Sequence, residues 1–411
     1  MRAKSSFTLI ELLVVIAILA ILSVVIVLII NPGDLIRQSR DTNRITDINN
    51  LNKALGIFRI ANPNDFIGTS TIIYVSLPDS NSTCANLGLP ALPAGYSYNC
   101  AASSTLTKTD GTGWVPINFD AVSYGSPIQR LPIDPQNTTS TGAYYTYIIG
   151  GSYQFTTILE SNKYKMGGSQ DKTSIDNGQY PEIYEIGTDL DLLPVNRSSN
   201  LVAYWDFEGT GTSAYDSSGH GNTGTMYSST TITDIHNSSD CVRGSCAEFD
   251  GDNRVSVNSA SVLNSTDEMT VTAWVKITAT TSQVYGAIIS RNGINNWSWL
   301  FANNTRIPRL YSRMTDDTYT YKISSNSLTT NQWDFVVFVY KDSDQSVRFY
   351  SNGNLGGTGN YSLPMKTTTW NTFLIGSYTP TTYHSIGLMD EVKIYNRALS
   401  ADEILALYNA R

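Results

Sequence analysis

FTLIELLVVIAILAILSVVIVLII, residues 7–30, holds one charged side chain, Glu11, and neither proline nor glycine. As a helix rising ~1.5 Å per residue, the run is about 36 Å long, enough to cross a hydrocarbon core of about 30 Å. A plain signal anchor would satisfy that length. Two features point further. A carboxylate inside an apolar span costs on the order of 2.5–3.5 kcal/mol and is normally retained for function, and the run supplies no cation for Glu11. Ahead of it, residues 1–6 form a polar leader, too short for a secretory signal with its own apolar core and cleavage site. A cut between Ser6 and Phe7 would leave the whole apolar helix on the mature chain. It would also create an ammonium at Phe7, a partner for Glu11 of a neighbouring chain.

Phe7-Thr8-Leu9-Ile10-Glu11-Leu12-Leu13-Val14-Val15 resembles the N-terminus of type IV pilins and type II secretion pseudopilins. The resemblance implies that a prepilin peptidase cuts before Phe7 and that the new N-terminus is methylated. It also implies that Glu11 directs subunits into a helical filament. Ser6 stands where that family nearly always has glycine. Serine is small, so cleavage is expected, at a slower rate.

A length of 411 residues predicts two or three domains. Charged residues make up 15% of the chain and the net charge is −8. Basic side chains do not cluster beyond the leader, which argues against a nucleic-acid partner. Abundant Gly, Ser, Thr, Asn and Tyr suit β-rich extracytoplasmic domains. Arg2 and Lys4 precede the span and hold the N-terminus in the cytoplasm, so the rest of the chain faces outward. Cysteines fit that compartment: Cys84 lies near Cys100, and Cys241 near Cys246. Proximity pairs them as two local disulfides, although four cysteines allow three connectivities. Closing the first loop is worth about 3 kcal/mol. Zinc does not fit, because the spacing is wrong for paired hooks and His220, His236 and His384 are scattered.

After the span, Asn31-Pro32-Gly33-Asp34 breaks or kinks the helix. Ile45, Ile48, Leu51, Leu55 and Phe58 then recur at helical steps, with Arg37, Arg40, Arg44, Asp47 and Lys53 in the other positions. This amphipathic helix ends at Asn62-Pro63-Asn64. In pilins the same pattern is the outer half of one long helix laid on a small antiparallel sheet. Residues 64–187 read as strands and loops. The runs 144–149 and 152–159 flank Gly150-Gly151, which predicts a hairpin with a two-residue turn. The segment 131–137 followed by tyrosine-rich strands resembles the sheet region of pilins. A glycine-rich stretch, 167–177, carries Asp171 and Asp176 and reads as a solvated loop. TDLDLLPVNRSSN, residues 188–200, marks a linker. The domains expected are therefore a leader (1–6), a transmembrane and assembly helix (7–30), a pilin-like α+β module (31–187), the linker (188–200) and a C-terminal domain (201–411).

That last domain shows short alternating runs at 201–207, 254–257, 269–277, 286–290, 334–340, 347–350, 372–375 and 391–395, which point to an all-β sandwich. Five stretches carry a resemblance across it. They are Val202-Ala203-Tyr204-Trp205-Asp206-Phe207-Glu208-Gly209, Asp216-Ser217-Ser218-Gly219-His220-Gly221-Asn222, Cys241 to Cys246 running into Glu248-Phe249-Asp250-Gly251, Met269-Thr270-Val271-Thr272-Ala273-Trp274-Val275 and the run 387–400. Together they resemble a laminin-G-like, concanavalin A-like jelly roll. Ser400-Ala401-Asp402-Glu403 is a capping box opening a short terminal helix over 401–409.

Glycoside hydrolases in related folds need two facing carboxylates on alternate positions of one strand. No Glu-x-Asp-x-x-Glu strand exists in 201–411. Asp206 and Glu208, like Asp250 and Asp252, sit beside glycines at strand ends, and the adjacent Asp390 and Glu391 point to opposite faces. Catalysis is not expected. Laminin-G-like domains often bind calcium, and the candidates are Asp216, Asp250 and Asp390; an Asx turn at Asp216 and a buried acceptor of backbone donors at Asp390 are the alternatives. Trp297 and Trp299, near Tyr311, Tyr319 and Tyr321, are candidate sugar-stacking residues; their alternation also suits core. These readings combine into a minor, tip-located type IV pilin-like subunit. It inserts in the cytoplasmic membrane with its N-terminus inside, then joins other pilin subunits in an extracellular pilus and displays an adhesin for a surface glycan or protein. A type II secretion pseudopilin and a membrane-anchored glycan-processing protein are the rival readings.

Overall fold

The computed structural model describes residues 9–198, 200–228, 236–237, 239–258, 267–279, 285–291, 297–302, 304–366 and 372–410, without the side chains of 21–30, 236, 237 and 302. Two helices open the chain, α1 (Leu9–Ile30) and α2 (Pro32–Ala61). Between them Asn31 takes a left-handed conformation (φ 45°) and its side chain accepts from the Asp34 N–H. Pro32 tolerates the first helical turn because no partner is needed for its missing N–H. The expected breaker is thus a joint between two capped helices, where one continuous helix was the pilin-like expectation. Every described side chain of α1 is exposed. Among the described residues no helix is long and apolar enough to cross a membrane; the second half of α1 lacks described side chains.

Helix α2 lies on a five-stranded sheet with spatial order 97–100, 72–75, 146–149, 153–158 and 183–187. Its edge departs from the expected all-antiparallel sheet, because 72–75 runs parallel to 97–100, with Val75 opposite Cys100. Parallel neighbours need a crossover longer than a hairpin turn, and the loop closed by the Cys84–Cys100 disulfide supplies it. The hairpin turn is also one residue longer than predicted, since Ile149 pairs with Tyr153 around Gly150-Gly151-Ser152 and Gly151 takes φ 81°.

Strand side chains alternate between two cores. Tyr74, Tyr145, Tyr147 and Phe155 meet Ile48, Leu51, Leu55 and Phe58 of α2. Ile73, Val75, Tyr144, Ile148 and Ile183 point the other way, into a core shared with Tyr204, Trp274, Phe335 and Tyr395 of the C-terminal half. Within α2, Ile45 is only half-buried, and Arg44, expected on the outer face, is fully buried. Its guanidinium reaches Asp134 at 2.6 Å, Glu160 at 2.7 Å and Asp41 at 2.9 Å. Asp41 also accepts from the Glu160 and Ser161 N–H groups, and Asp34 from that of Asn162. Three partners offset the desolvation of one cation, which periodicity alone does not reveal.

The C-terminal half is a sandwich of two eight-stranded antiparallel sheets. One contains 354–360, 346–351, 334–341, 268–277, 386–395, 246–250 and 236–237, with 201–205 also paired to 386–395. The other runs 319–323, 308–313, 297–302, 285–290, 372–375, 254–258, 224–227 and 213–214. Trp205, Trp297, Trp299, Phe338 and Ile394 are among the residues filling the space between them. The terminal helix α3 (Ala401–Asn409) has the predicted capping box, with the Glu403 N–H donating to Ser400 Oγ and the Ser400 N–H to Glu403. It packs on the outer face of the first sheet, where Tyr408 stacks on Trp274 at 5.6 Å.

The expected linker is buried in its middle. Leu193, Val195, Asn196 and Arg197 are buried, and Arg197 lies over the Tyr144 ring while donating to the Tyr144 carbonyl. Polar groups are buried alongside. Tyr395 donates to Glu182, Tyr204 donates to Glu391 at 2.6 Å, and Lys393 pairs with Glu391 at 2.9 Å. Burial opposes the charge on Lys393, but Glu391 and Glu182 outweigh it and raise its pKa. Burial, with a smaller contribution from Glu391, pushes Asp206 up to about 7.

Two outcomes follow from these buried charges. Arg44→Met should leave Asp41 and Asp134 without a cation, while Glu160 keeps its pair with Arg40 at 2.6 Å, and lower stability by about 3–5 kcal/mol, read as a shift of the urea midpoint. Arg44→Lys should recover little of it, because an ammonium cannot span the two Asp134 oxygens. For Asp206 the raised pKa means that the folded chain keeps a proton that the unfolded chain releases near pH ~4. Its stabilisation is therefore full below about pH 4 and is lost as pH rises towards about 7. Urea melts between about pH 4 and about pH 8 should show a smaller decline for Asp206→Asn than for the parent chain.

Candidate functional site

Glu11 lies in the first turn of α1, where a negative charge suits the positive end of the helix dipole. It is exposed on a rod whose neighbouring Leu9, Ile10, Leu12 and Leu13 are also exposed, Leu9 at 79%. So large an apolar surface calls for a lipid or protein neighbour. Ser6 and Phe7, the expected processing residues, lie outside the described residues.

Both expected disulfides, Cys84–Cys100 and Cys241–Cys246, are present. The second closes a tight loop that presents two backbone donors, Val242 and Arg243, to Asp390 at 3.0 and 3.1 Å. Burial and the Glu391 charge push Asp390 up, against those donors.

The three calcium candidates are each spent on protein donors, Asp390 on the Val242 and Arg243 N–H groups. Asp216 accepts from the N–H groups of Tyr204, Ser218 and Asn222 and from the Ser218 hydroxyl. Asp250 accepts from the N–H groups of Asp252 and Asn253. Among the described residues no three His, Cys, Asp or Glu side chains gather as a metal ion would need. A calcium ion requires several convergent oxygens, and this donor set does not fit one. Asp171 and Asp176 likewise serve their own turns, accepting from Gly167, Thr173 and Ser174 and from Gly178 and Glu185.

Trp297 and Trp299 are not a sugar platform. Both are 0% exposed. They meet Phe338 edge-to-face at 5.4 and 5.1 Å inside the sandwich. The stretch around them is strand, and the alternation of WSWLFA turns the tryptophans and Phe301 into the space between the sheets and Ser298 and Leu300 the other way, where they too are buried.

Aromatic rings gather instead on the outer face of that same sheet. Tyr311 lies 5.0 Å from Tyr321 and 5.8 Å from Tyr285. Tyr285 lies 5.4 Å from Tyr383, which lies 5.3 Å from Tyr378. Arg309 stacks on Tyr285 and Tyr321, and Arg313 on Tyr319. Strands 308–313 and 319–323 run antiparallel with Tyr311 opposite Tyr321 and Arg313 opposite Tyr319, so alternate residues line one surface. Tyr319 and Tyr321 are half exposed, at 51% and 50%. Tyr285, Tyr378, Tyr383 and Arg309 were not singled out from the sequence. They come from separate strands and a loop, and only sheet register brings them together.

The acidic pairs considered for hydrolysis are likewise engaged. Asp206 accepts from the Ser217 hydroxyl at 2.5 Å and Glu208 from the Ser245 N–H at 3.0 Å. Glu391 pairs with Lys393, while Asp390 faces the Val242–Arg243 donors.

Comparison with known proteins returns two family models. Residues 1–27 match the prokaryotic N-terminal methylation motif, and residues 249–405 match the concanavalin A-like lectin/glucanases superfamily. No curated protein matches the chain. Among solved structures, domain 4 of AbnA, a GH43 extracellular arabinanase from Geobacillus stearothermophilus, in complex with arabinotriose, is 20% identical over 51% of this chain and 98% of that one, with a TM-score of 0.39. The receptor binding domain of botulinum neurotoxin mosaic serotype C/D is 16% identical over 51% of this chain and 50% of that one, with a TM-score of 0.40. The CBM40 of Ruminococcus gnavus IT-sialidase, bound to α2,3-sialyllactose, is 14% identical over 39% of this chain and 95% of that one, at 0.34. The chain spans about half the length of the neurotoxin domain. It thus joins a prokaryotic N-terminal methylation motif to a domain of the concanavalin A-like lectin/glucanases superfamily.

Proposed function

We propose that this protein is a minor, tip-located type IV pilin-like subunit whose concanavalin A-like domain is an adhesin for a surface glycan or protein. The observation that carries the reading is the methylation motif, residues 1–27, over an apolar helix whose described side chains, Glu11 among them, are all exposed. In this reading the precursor sits in the cytoplasmic membrane with Arg2 and Lys4 inside. Prepilin peptidase cuts between Ser6 and Phe7. The new ammonium at Phe7 pairs with Glu11 of the neighbouring pilin subunit, and apolar helix packing holds the filament together. The tip position is supported by size, since a two-sheet sandwich on every subunit would crowd a packed filament. A binding role without catalysis is supported by the acidic side chains, which are tied to backbone donors, hydroxyls and Lys393. Attachment then rests on avidity from many pili.

Protein recovered from a sheared surface fraction should begin at methylated Phe7, by intact mass and N-terminal sequencing. A chain still beginning at Met1 and confined to the membrane would overturn the reading. Glu11→Ala should leave membrane insertion intact while reducing recovery in the sheared fraction by roughly tenfold or more, the equivalent of ~1.4 kcal/mol. Unchanged recovery would leave α1 as a mere anchor.

A further inference from the structure

The tyrosine-lined face of the second sheet lies on the opposite side of the sandwich from the pilin-like module, and its chemistry selects a ligand class. The outer face of the first sheet is covered by the pilin-like module and α3. The second sheet is buried on both faces along 297–301, but nearer its edge Arg309, Tyr311 and Arg313 are half-buried and Tyr319 and Tyr321 exposed, and none of the strands 285–290, 297–302, 308–313 and 319–323 carries an aspartate or glutamate. That is notable in a chain of net charge −8. Five tyrosines follow one another across it with ring centres 5.0–5.8 Å apart.

Arg309 lies over two of those rings, 5.1 Å from Tyr285 and 5.5 Å from Tyr321. Among the described residues it has no carboxylate partner, and its Nε, shielded from solvent, has no hydrogen-bond partner. Stacking holds its guanidinium plane in place, so little entropy is lost when a planar anion docks. A guanidinium pairs best with a carboxylate, through two parallel hydrogen bonds. Tyrosine rings offer flat faces with hydroxyl edges, which suit the C–H faces and hydroxyls of a sugar better than a purely apolar protein patch.

From this juxtaposition we infer that the outer face of the second sheet binds a carboxylated glycan, with Arg309 taking the sugar carboxylate and Tyr321, Tyr311 and Tyr285 stacking on the sugar rings. The inference rests on the adhesin reading and deepens it. The overall negative charge repels acidic polymers at long range, so recognition is short-ranged and depends on a carboxylate in register with Arg309 rather than on bulk attraction.

Calorimetric titration of the full chain in detergent with oligogalacturonate and with sialyllactose tests it, against the methyl ester of the first and lactose in place of the second. At least one carboxylated probe should bind, and its neutral counterpart should bind at least about tenfold more weakly. Arg309→Gln should weaken binding by roughly tenfold or more, and Tyr321→Ala by about fivefold or more. Tyr124→Ala, on an exposed tyrosine of the pilin-like module, should change nothing. Arg309→Lys keeps the stacked charge without the fork and guards against misfolding; it too should weaken binding. Binding of neither acid, equal binding of acid and neutral counterpart, or full binding by the Arg309 and Tyr321 variants would each overturn the inference. Recovery in the sheared surface fraction is measured in parallel. A chain assembled there without carboxylate selectivity removes this inference alone, whereas a chain absent from that fraction removes the adhesin reading beneath it.

Discussion

A five-stranded sheet buried on both faces is the constraint on which the rest of the molecule depends. Its strands must be apolar in both directions, and residues 72–75 and 146–149 are. One face takes the second half of α2, and the other meets the sandwich. Neither neighbour can be removed without exposing a row of Ile, Val and Tyr side chains, at ~25 cal/mol per Å² of apolar surface. The middle of the segment 188–200 is buried for the same reason. It crosses between two packed bodies, so Leu193, Val195 and Arg197 serve as core.

Burial on both faces leaves the polar groups at the seams, and each seam solves the problem in its own way. Near the start of α2, Arg44 gathers Asp41, Asp134 and Glu160 around one guanidinium. Between the sheet and the sandwich the solution is a chain of tyrosine hydroxyls and carboxylates, Tyr395 on Glu182 and Tyr204 on Glu391, with Lys393 the balancing cation. In the first arrangement burial opposes the Arg44 charge, but Asp134, Glu160 and Asp41 outweigh it and raise its pKa. Asp206, which accepts from Ser217, feels the Glu391 charge of the second, and burial with that charge pushes its pKa up to about 7. Apolar burial therefore joins the halves, and the buried charges set the conditions under which they stay joined.

Much of this was legible in the sequence wherever a pattern was local. The apolar run, the kink at Asn31-Pro32, the helical face from Ile48 to Phe58, the disulfide pairs and the capping box at Ser400 each occupy a few consecutive residues, and each is found. Sense of direction was not legible. Alternation places Trp297 and Trp299 on one face without saying whether that face is inside. The answer came from Phe338 and Phe373, far along the chain. Arg44 was misplaced for a related reason: a charge on a helix is ordinarily outward, and its partners at 134 and 160 lie in other elements. Strand 354–360, NLGGTGN, escaped notice because glycine lacks the side-chain packing that marks a strand. There the glycines allow close approach, since a Cβ on Gly357 would meet the Ser325 N–H at 3.2 Å.

Fusion itself decides which surface of the sandwich is left for a ligand. A free-standing sandwich has two outer sheet faces. Here the first is taken by the pilin-like module and by α3, with Trp274 and Phe335, on strands 268–277 and 334–341, turned towards them. Those aromatics are read by the protein itself and are closed to anything outside. The second sheet meets no such partner among the described residues, yet it carries tyrosines and arginines outward, where an unused face would favour small polar side chains. Docking to the pilin-like module and the outward-facing tyrosines thus fall on opposite sheets of one sandwich, and the sheet that docks has its aromatics buried.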